Sequence, residues 1–279
     1  MSPTWGVDTP PPPAPPTGPF GWARVLLRGL AVGGVTFGGL GLLLLLRLVE
    51  RPLFGLDRPL TPWITVGVCR AALRLMGLRM TVTGRPLAAR GAMVANHASW
   101  LDIYVLNAPA PLYFVSKAEV ARWPAIGWLA RATGTVFISR DSRDATRQKL
   151  MLEARLRAGH RLMVFPEGTS TDGRRVLAFK PTLLAAFFEH GLAQVLSVQP
   201  VSVTYHAPEG ADPRFYGWWG AMPFAPHLLK VLAAPRQGRV DVVYHAPLKV
   251  SDYSGRKPLA AACEHAVRAG MRLPADAGG

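Results

Sequence analysis

Between Arg28 and Arg47 the chain runs for eighteen residues, GLAVGGVTFGGLGLLLLL, without a single charge. As a helix this stretch is about 27 Å long, close to the ~30 Å hydrocarbon thickness of a bilayer. A secretory signal would place small residues at a cleavage site after the run. Here Arg47, Val49, Glu50 and Arg51 follow instead, and soluble core helices are rarely uncharged for so long. The run therefore predicts a membrane-inserted helix, spanning or re-entrant.

The flanks extend this reading. Arg47, Arg51, Arg58, Arg70 and Arg74 all lie after the run, and the positive-inside bias then places the remainder on the cytoplasmic side of the cytoplasmic membrane. WITVGVCRAALRLMG reads as a second helix ending at Gly77. Its Arg70 and Arg74, four apart, suit either a basic face on lipid headgroups or the solvated face of a packed helix. Residues 1–19 hold eight prolines and one charge, Asp8, a composition that favours an extended tail. The organisation expected is a tail over 1–19, membrane-seating helices over 20–79 and one folded domain over 80–279.

Composition narrows the partners. With 49% hydrophobic and 18% charged residues, the 279-residue chain is too apolar for disorder and large enough for one sizeable core. Lys and Arg outnumber Asp and Glu by 32 to 17, which draws the protein toward lipid headgroups, acidic carrier proteins or nucleic acid. The basic residues are scattered and form no nucleic-acid-binding motif, so nucleic acid is not an expected partner. Cys69 and Cys263 stand alone, which excludes a disulfide framework and a Cys-based zinc site. Nothing in the sequence sets an oligomeric state.

From Met80 onward short apolar runs near 80–83, 92–95, 112–116, 135–139, 161–165, 198–204 and 239–244 read as strands. Helical periodicity appears near 120–131, 143–158, 180–190, 226–233 and 258–271. This alternation is an α/β signature, a mixed sheet with helices on both faces. MVAN, VFIS and LMVF carry few polar residues, as central strands covered on both sides do.

Two constellations follow such strands directly. The first is Asn96-His97-Ala98-Ser99-Trp100-Leu101-Asp102. A histidine leaving a buried strand sits at the carboxyl end, where α/β sheets carry their reactive groups. A carboxylate on Nδ1–H fixes the tautomer that leaves Nε2 as a base. Residues five apart on one helix differ by about 140°, so His97 must lie in a turn with Asp102 on the helix that follows. Ser99-x-x-Asp102 also fits a capping box. The second constellation is Phe165-Pro166-Glu167-Gly168-Thr169-Ser170. Its Pro and Gly enforce a turn where backbone N–H groups, hydroxyls and Glu167 can converge on a polar or anionic group, or simply end the strand.

NHASWLD followed by FPEGTS resembles the glycerolipid acyltransferase family, the 1-acyl-sn-glycerol-3-phosphate acyltransferase-like enzymes defined by N-H-x-x-x-x-D and F-P-E-G-T. GTVFISR at 134–140 resembles that family's middle block and VQPV at 198–201 its last, so four blocks occur in order. The resemblance implies an acyltransferase domain in which His97 is the general base and Asp102 orients it. Asn96, Glu167, Gly168 and Thr169 would shape the acceptor site, with Lys117 and Arg140 as anionic contacts. It further implies an acyl carrier protein or coenzyme A thioester as co-substrate, membrane lipids as partners, and no other cofactor or metal.

One departure bears on the acceptor. Members that use phosphate-bearing lysolipids often follow F-P-E-G-T with Arg, whose fork binds phosphate bidentately; this chain has Ser170. NHxSWLD, FPEGTSTDG and RVLAFK are also similar to the lyso-ornithine-lipid acyltransferase branch. The leading expectation is a 1-acyl-sn-glycerol-3-phosphate acceptor, with lyso-ornithine lipid close behind. Among other classes, a serine hydrolase lacks a G-x-S-x-G elbow, and the seven histidines show no paired ligand spacing. A non-catalytic lipid-binding protein would not need both His97 and Asp102.

Overall fold

A computed structural model of the chain describes residues 6, 10–12, 17–88, 91–139, 145–189 and 191–271. Eight strands form one mixed sheet: β1 (Arg79–Thr83), β2 (Gly91–Ala95), β3 (Tyr113–Lys117), β4 (Val136–Ile138), β5 (Leu162–Val164), β6 (Ser197–His206), β7 (Arg239–Tyr244) and β8 (Leu248–Lys249). The order is β1-β7-β6-β2-β5-β3-β4, with β8 also on β6. Strands β6, β2, β5, β3 and β4 are mutually parallel, whereas β7 runs antiparallel to β6.

Every residue of β2 is buried, because both faces of the sheet are covered. Met93 and Ala95 point into a core built with α2 (Thr61–Met76), α3 (Asp102–Asn107) and α6 (Phe224–Ala233). Ala92 and Val94 point into a second core with α5 (Ala145–Arg157), the 3-10 helix Pro181–Phe188 and α7 (Arg256–Gly270). Both cysteines are free and buried, Cys69 in the first core and Cys263 in the second.

The register places the chemistry. β2 stops at Ala95, opposite Val201 of β6, while β6 continues to His206. The loops after β2 and β5 thus emerge side by side at one sheet edge, flanked by the overhanging end of β6.

The uncharged run lies inside α1 (Pro19–Phe54), which is long and apolar enough to cross a membrane. Both ends of α1 hold the same folded body. Near its start Arg24 donates to the Ala233 carbonyl at 2.8 Å, and Arg28 to those of Leu232 and Ala234. Near its end Glu50 accepts from Thr61 Oγ1 at 2.6 Å and from the Leu60 N–H at 2.8 Å. Between them Thr36 Oγ1 meets Tyr104 Oη. Leu26, Leu27, Leu30, Leu42, Leu44, Leu45 and Leu48 remain exposed on α1.

Three local expectations change. The helix expected over 120–131 is divided into a 3-10 turn (Ala118–Arg122) and α4 (Ile126–Ala132), because Pro124 cannot donate to a continuing helix and restricts Trp123. The segment 180–190 is 3-10 rather than α-helical over its described part, Pro181–Phe188. For α2 the packed alternative holds: Cys69, Ala72, Leu73 and Met76 are buried in the first core, and Arg70 donates to the Ala108 carbonyl.

Candidate active site

His97 lies in the turn after β2, and Asp102 opens α3. The turn folds the intervening residues so that His97 Nδ1 is 2.7 Å from Asp102 Oδ2. The same oxygen accepts the N–H groups of Ala98 at 2.9 Å and Ser99 at 3.1 Å. Asp102 therefore ties down its own turn and holds the imidazole with one atom. Its other oxygen accepts the Tyr205 hydroxyl at 2.6 Å. Asp102 is fully buried, and four donors around one carboxylate compensate its desolvation.

Tyr205 was not singled out by sequence. The only signal was a hydroxyl-bearing aromatic near the carboxyl end of a long apolar strand, and its partner is 103 positions away. Burial and the neighbouring Asp102 charge push its phenol well above the ordinary value, so Tyr205 remains a protonated donor. The His97 ring stacks on Phe165, with centroids 4.1 Å apart and planes 17° from parallel. Held by Asp102 on one nitrogen and Phe165 on one face, the ring keeps 22% of its side-chain surface exposed. Its Nε2 has no hydrogen-bond partner among the described residues.

The FPEGTS turn supports this arrangement from beneath. Glu167 Oε1 accepts the His97 N–H at 2.8 Å and Oε2 the Leu177 N–H at 2.9 Å. With 1% of its surface exposed, Glu167 spends both oxygens on backbone and anchors His97's main chain to the second motif. Burial drives its carboxyl up to about 8, against the pull of the two N–H groups. The Thr171 N–H donates to the His97 carbonyl at 2.9 Å, a second tie between the motifs. Gly168 has φ +69°, and a Cβ there would fall 2.8 Å from Lys180 Nζ. Glycine thus serves both the left-handed turn and the approach of an exposed lysine.

The other predicted site residues are distributed unevenly. Asn96 is fully buried, and its amide pairs with both the N–H and the C=O of Val203 at 2.8 Å. It carries the strand pairing onward where β2 departs from β6. Thr169 is half-buried in the turn. Lys117 closes β3, on the far side of β5 from β2. Arg140 lies outside the described residues. No group of three or more metal-ligating side chains occurs among the described residues.

Comparison with known proteins gives this geometry its context. Residues 79–204, which include both motifs and the Tyr205-bearing strand almost to its end, match the family profile described as Acyltransferase. A lyso-ornithine lipid O-acyltransferase from Rhodobacter capsulatus is 61% identical over 269 residues, 96% of this chain and 97% of that protein. The chain belongs to the acyltransferase family. This acyltransferase is also 37% identical to a lyso-ornithine lipid O-acyltransferase from Pseudomonas aeruginosa, over 88% of this chain and 92% of the other. It is 35% identical to a 1-acyl-sn-glycerol-3-phosphate acyltransferase from Neisseria gonorrhoeae over 48% of this chain and 53% of that protein. The fold resembles the crystal structure of the 1-acyl-sn-glycerophosphate acyltransferase PlsC from Thermotoga maritima, with a TM-score of 0.60 at 22% identity over 90% of this chain and 95% of that one. The enzyme is accordingly a lysolipid acyltransferase with a mixed α/β fold.

Proposed function

We propose that the enzyme transfers an acyl chain from a thioester of acyl carrier protein or coenzyme A to the free hydroxyl of lyso-ornithine lipid. The observation that carries this acceptor is the near full-length 61% identity to an enzyme of that name, against half-length matches to the glycerol-3-phosphate-type relatives. Ser170 in place of an arginine after F-P-E-G-T agrees with an acceptor that bears no phosphate.

In this reading His97 Nε2 removes the proton of the acceptor hydroxyl while Asp102 holds Nδ1–H and stabilises the imidazolium. The alkoxide-like oxygen forms a bond to the thioester carbonyl carbon, and the C–S bond breaks. The departing thiolate takes the proton back from His97, which leaves ester, free thiol and the starting enzyme. The Thr169 and Ser170 N–H groups have no acceptor among the described residues and precede Thr171, which is tied to His97. They supply donors for the developing oxyanion. Lys117, Arg140 and Lys180 are the cations assigned to the acceptor carboxylate.

The same reading seats α1 along a membrane surface. Its anchors at Arg28 and Glu50 lie about 33 Å apart along the helix, yet both bind one body, so α1 runs beside that body and presents its exposed leucines to lipid.

The deciding experiment offers lyso-ornithine lipid and 1-acyl-sn-glycerol-3-phosphate to one membrane preparation, each with both thioester donors. Lyso-ornithine lipid should be acylated with a kcat/KM at least about tenfold higher, a difference of about 1.4 kcal/mol in transition-state binding. A preference for the phosphate-bearing acceptor refutes the assignment.

A further inference from the structure

At the opposite end of the sheet from His97, a cavity of about 410 Å³ lies where the α1–α2 corner meets the starts of β3 and β5. Tyr113 begins β3, Arg161 precedes β5, and the Tyr113 N–H donates to the Arg161 carbonyl. These strands are parallel to β2, so the cavity and the His97 turn occupy opposite strand ends and form separate sites.

Two arginines line this cavity, and a third packs beside its Tyr113 ring. Arg58 and Arg161 line the cavity. Arg58 Cζ lies 6.0 Å from the Tyr113 ring centroid, and Arg155 Cζ lies 5.5 Å from it. No carboxylate pairs with any of the three among the described residues; Asp57, on the cavity wall, is exposed. Arg58 and Arg161 each donate once to a carbonyl, of Ala132 and Leu87, which leaves most of each guanidinium's five donors for a ligand. Tyr113 also lines the cavity, and its hydroxyl has no hydrogen-bond partner among the described residues.

The cluster is built rather than incidental. Gly134 has φ +85°, and a Cβ there would fall 2.9 Å from Arg58 Nη1 and 3.1 Å from the Tyr113 ring; glycine makes room for the guanidinium. His160 stacks on Tyr113 at 4.3 Å. Its Nδ1 accepts from Arg155 Nη1 at 3.0 Å and its Nε2–H donates to the Leu56 carbonyl at 3.1 Å, a neutral tautomer that adds no charge. The nearby buried Glu50 carboxylate is already engaged by Arg47 at 2.9 Å and by Thr61, so the half-buried cations outnumber the anion beside them, a cost that a further anion offsets. Phe54 and Trp63, exposed at the end of α1 and the start of α2, form the apolar rim.

We propose that this cavity binds the phosphate of an anionic phospholipid headgroup and so docks the enzyme at a second point on the membrane, apart from the acceptor site. A phosphate in contact with Arg58 and Arg161 accepts their forked donors and the Tyr113 hydroxyl, while the rim residues meet the glycerol and chains. The lipid source rests on α1 lying at a membrane; the phosphate chemistry does not.

The full-length enzyme in detergent is titrated calorimetrically with dihexanoyl phosphatidylglycerol, dihexanoyl phosphatidylcholine and inorganic phosphate, alongside Arg58→Gln and Arg161→Gln. Phosphatidylglycerol should bind at least about tenfold more tightly than phosphatidylcholine, and each substitution should weaken it by about tenfold. Equal affinity for the zwitterionic and anionic lipids overturns the proposal, as does phosphatidylglycerol binding that both substitutions leave unchanged. Inorganic phosphate binding as tightly as phosphatidylglycerol overturns the lipid assignment alone. The three-ligand comparison on the unaltered enzyme stands even where a substituted chain fails to fold.

Discussion

Asp102→Asn separates the charge of the proposed dyad from its geometry. Three N–H donors converge on Oδ2, from His97, Ala98 and Ser99. An amide NH2 cannot face them, so the asparagine must place its oxygen there and continue to accept from Nδ1–H. Its NH2 then meets Tyr205, whose hydroxyl sits 2.6 Å from the other oxygen and can rotate to accept. The tautomer survives, and what disappears is the carboxylate's attraction for the imidazolium. Opposite charges about 4 Å apart at an effective dielectric constant near 20 interact by about 4 kcal/mol, a ceiling near a thousandfold in rate. Steady-state acylation by membranes containing Asp102→Asn should show kcat lowered by about 10²–10³ with KM for the acceptor nearly unchanged. Asp102→Ala, which also frees the Ala98 and Ser99 N–H groups, should lose more. If Asp102→Asn works within about threefold of the unaltered enzyme, the carboxylate charge plays no part in catalysis and the reasoning fails.

His97→Ala removes the proposed base and should lower the rate by about two to four powers of ten, read with a discontinuous acyl-transfer assay on the lysolipid. Tyr205→Phe leaves the Asp102 Oδ1 oxygen buried without its donor. It should cost about 1.5–3 kcal/mol, seen as a melting temperature lowered by about 3–12 °C; an unchanged melting curve would remove Tyr205 from the network. Because burial raises the Glu167 carboxyl from 4.5 to about 8, the folded state holds a proton that the unfolded state releases between those values. Stability should therefore fall as pH rises from about 5 to about 8. Glu167→Gln should flatten that slope while losing about 1–3 kcal/mol, since its NH2 confronts one of two N–H groups; thermal scans across the range decide this. Removing residues 20–79 deletes α2 from the first core along with α1, so the remainder should show no cooperative unfolding transition by circular dichroism. A folded, active remainder would contradict the packing described for α2.

Much of the architecture was legible because local rules and tertiary packing agree. The runs around 92–95 and 161–165 are apolar on both alternations, so they had to be strands covered on both faces. The five-residue spacing of His97 and Asp102 could close only through a turn. The helix breaks at Pro124 and through 181–188 were harder to read, since apolar periodicity does not distinguish α from 3-10 geometry or reveal how one proline divides a segment.

By itself the sequence determined what is set by neighbours in the chain: the uncharged helix, the alternation of strands and helices, and two motifs at strand exits. Only the tertiary structure decided which distant groups meet them. Tyr205 reaches Asp102 because β6 overhangs the end of β2, Glu167 reaches the His97 backbone because β5 lies beside β2, and the arginines over Tyr113 come from the α1–α2 corner and from α5, far apart in the chain. Strand order and register fix those meetings, and both are long-range choices that no local run of residues encodes.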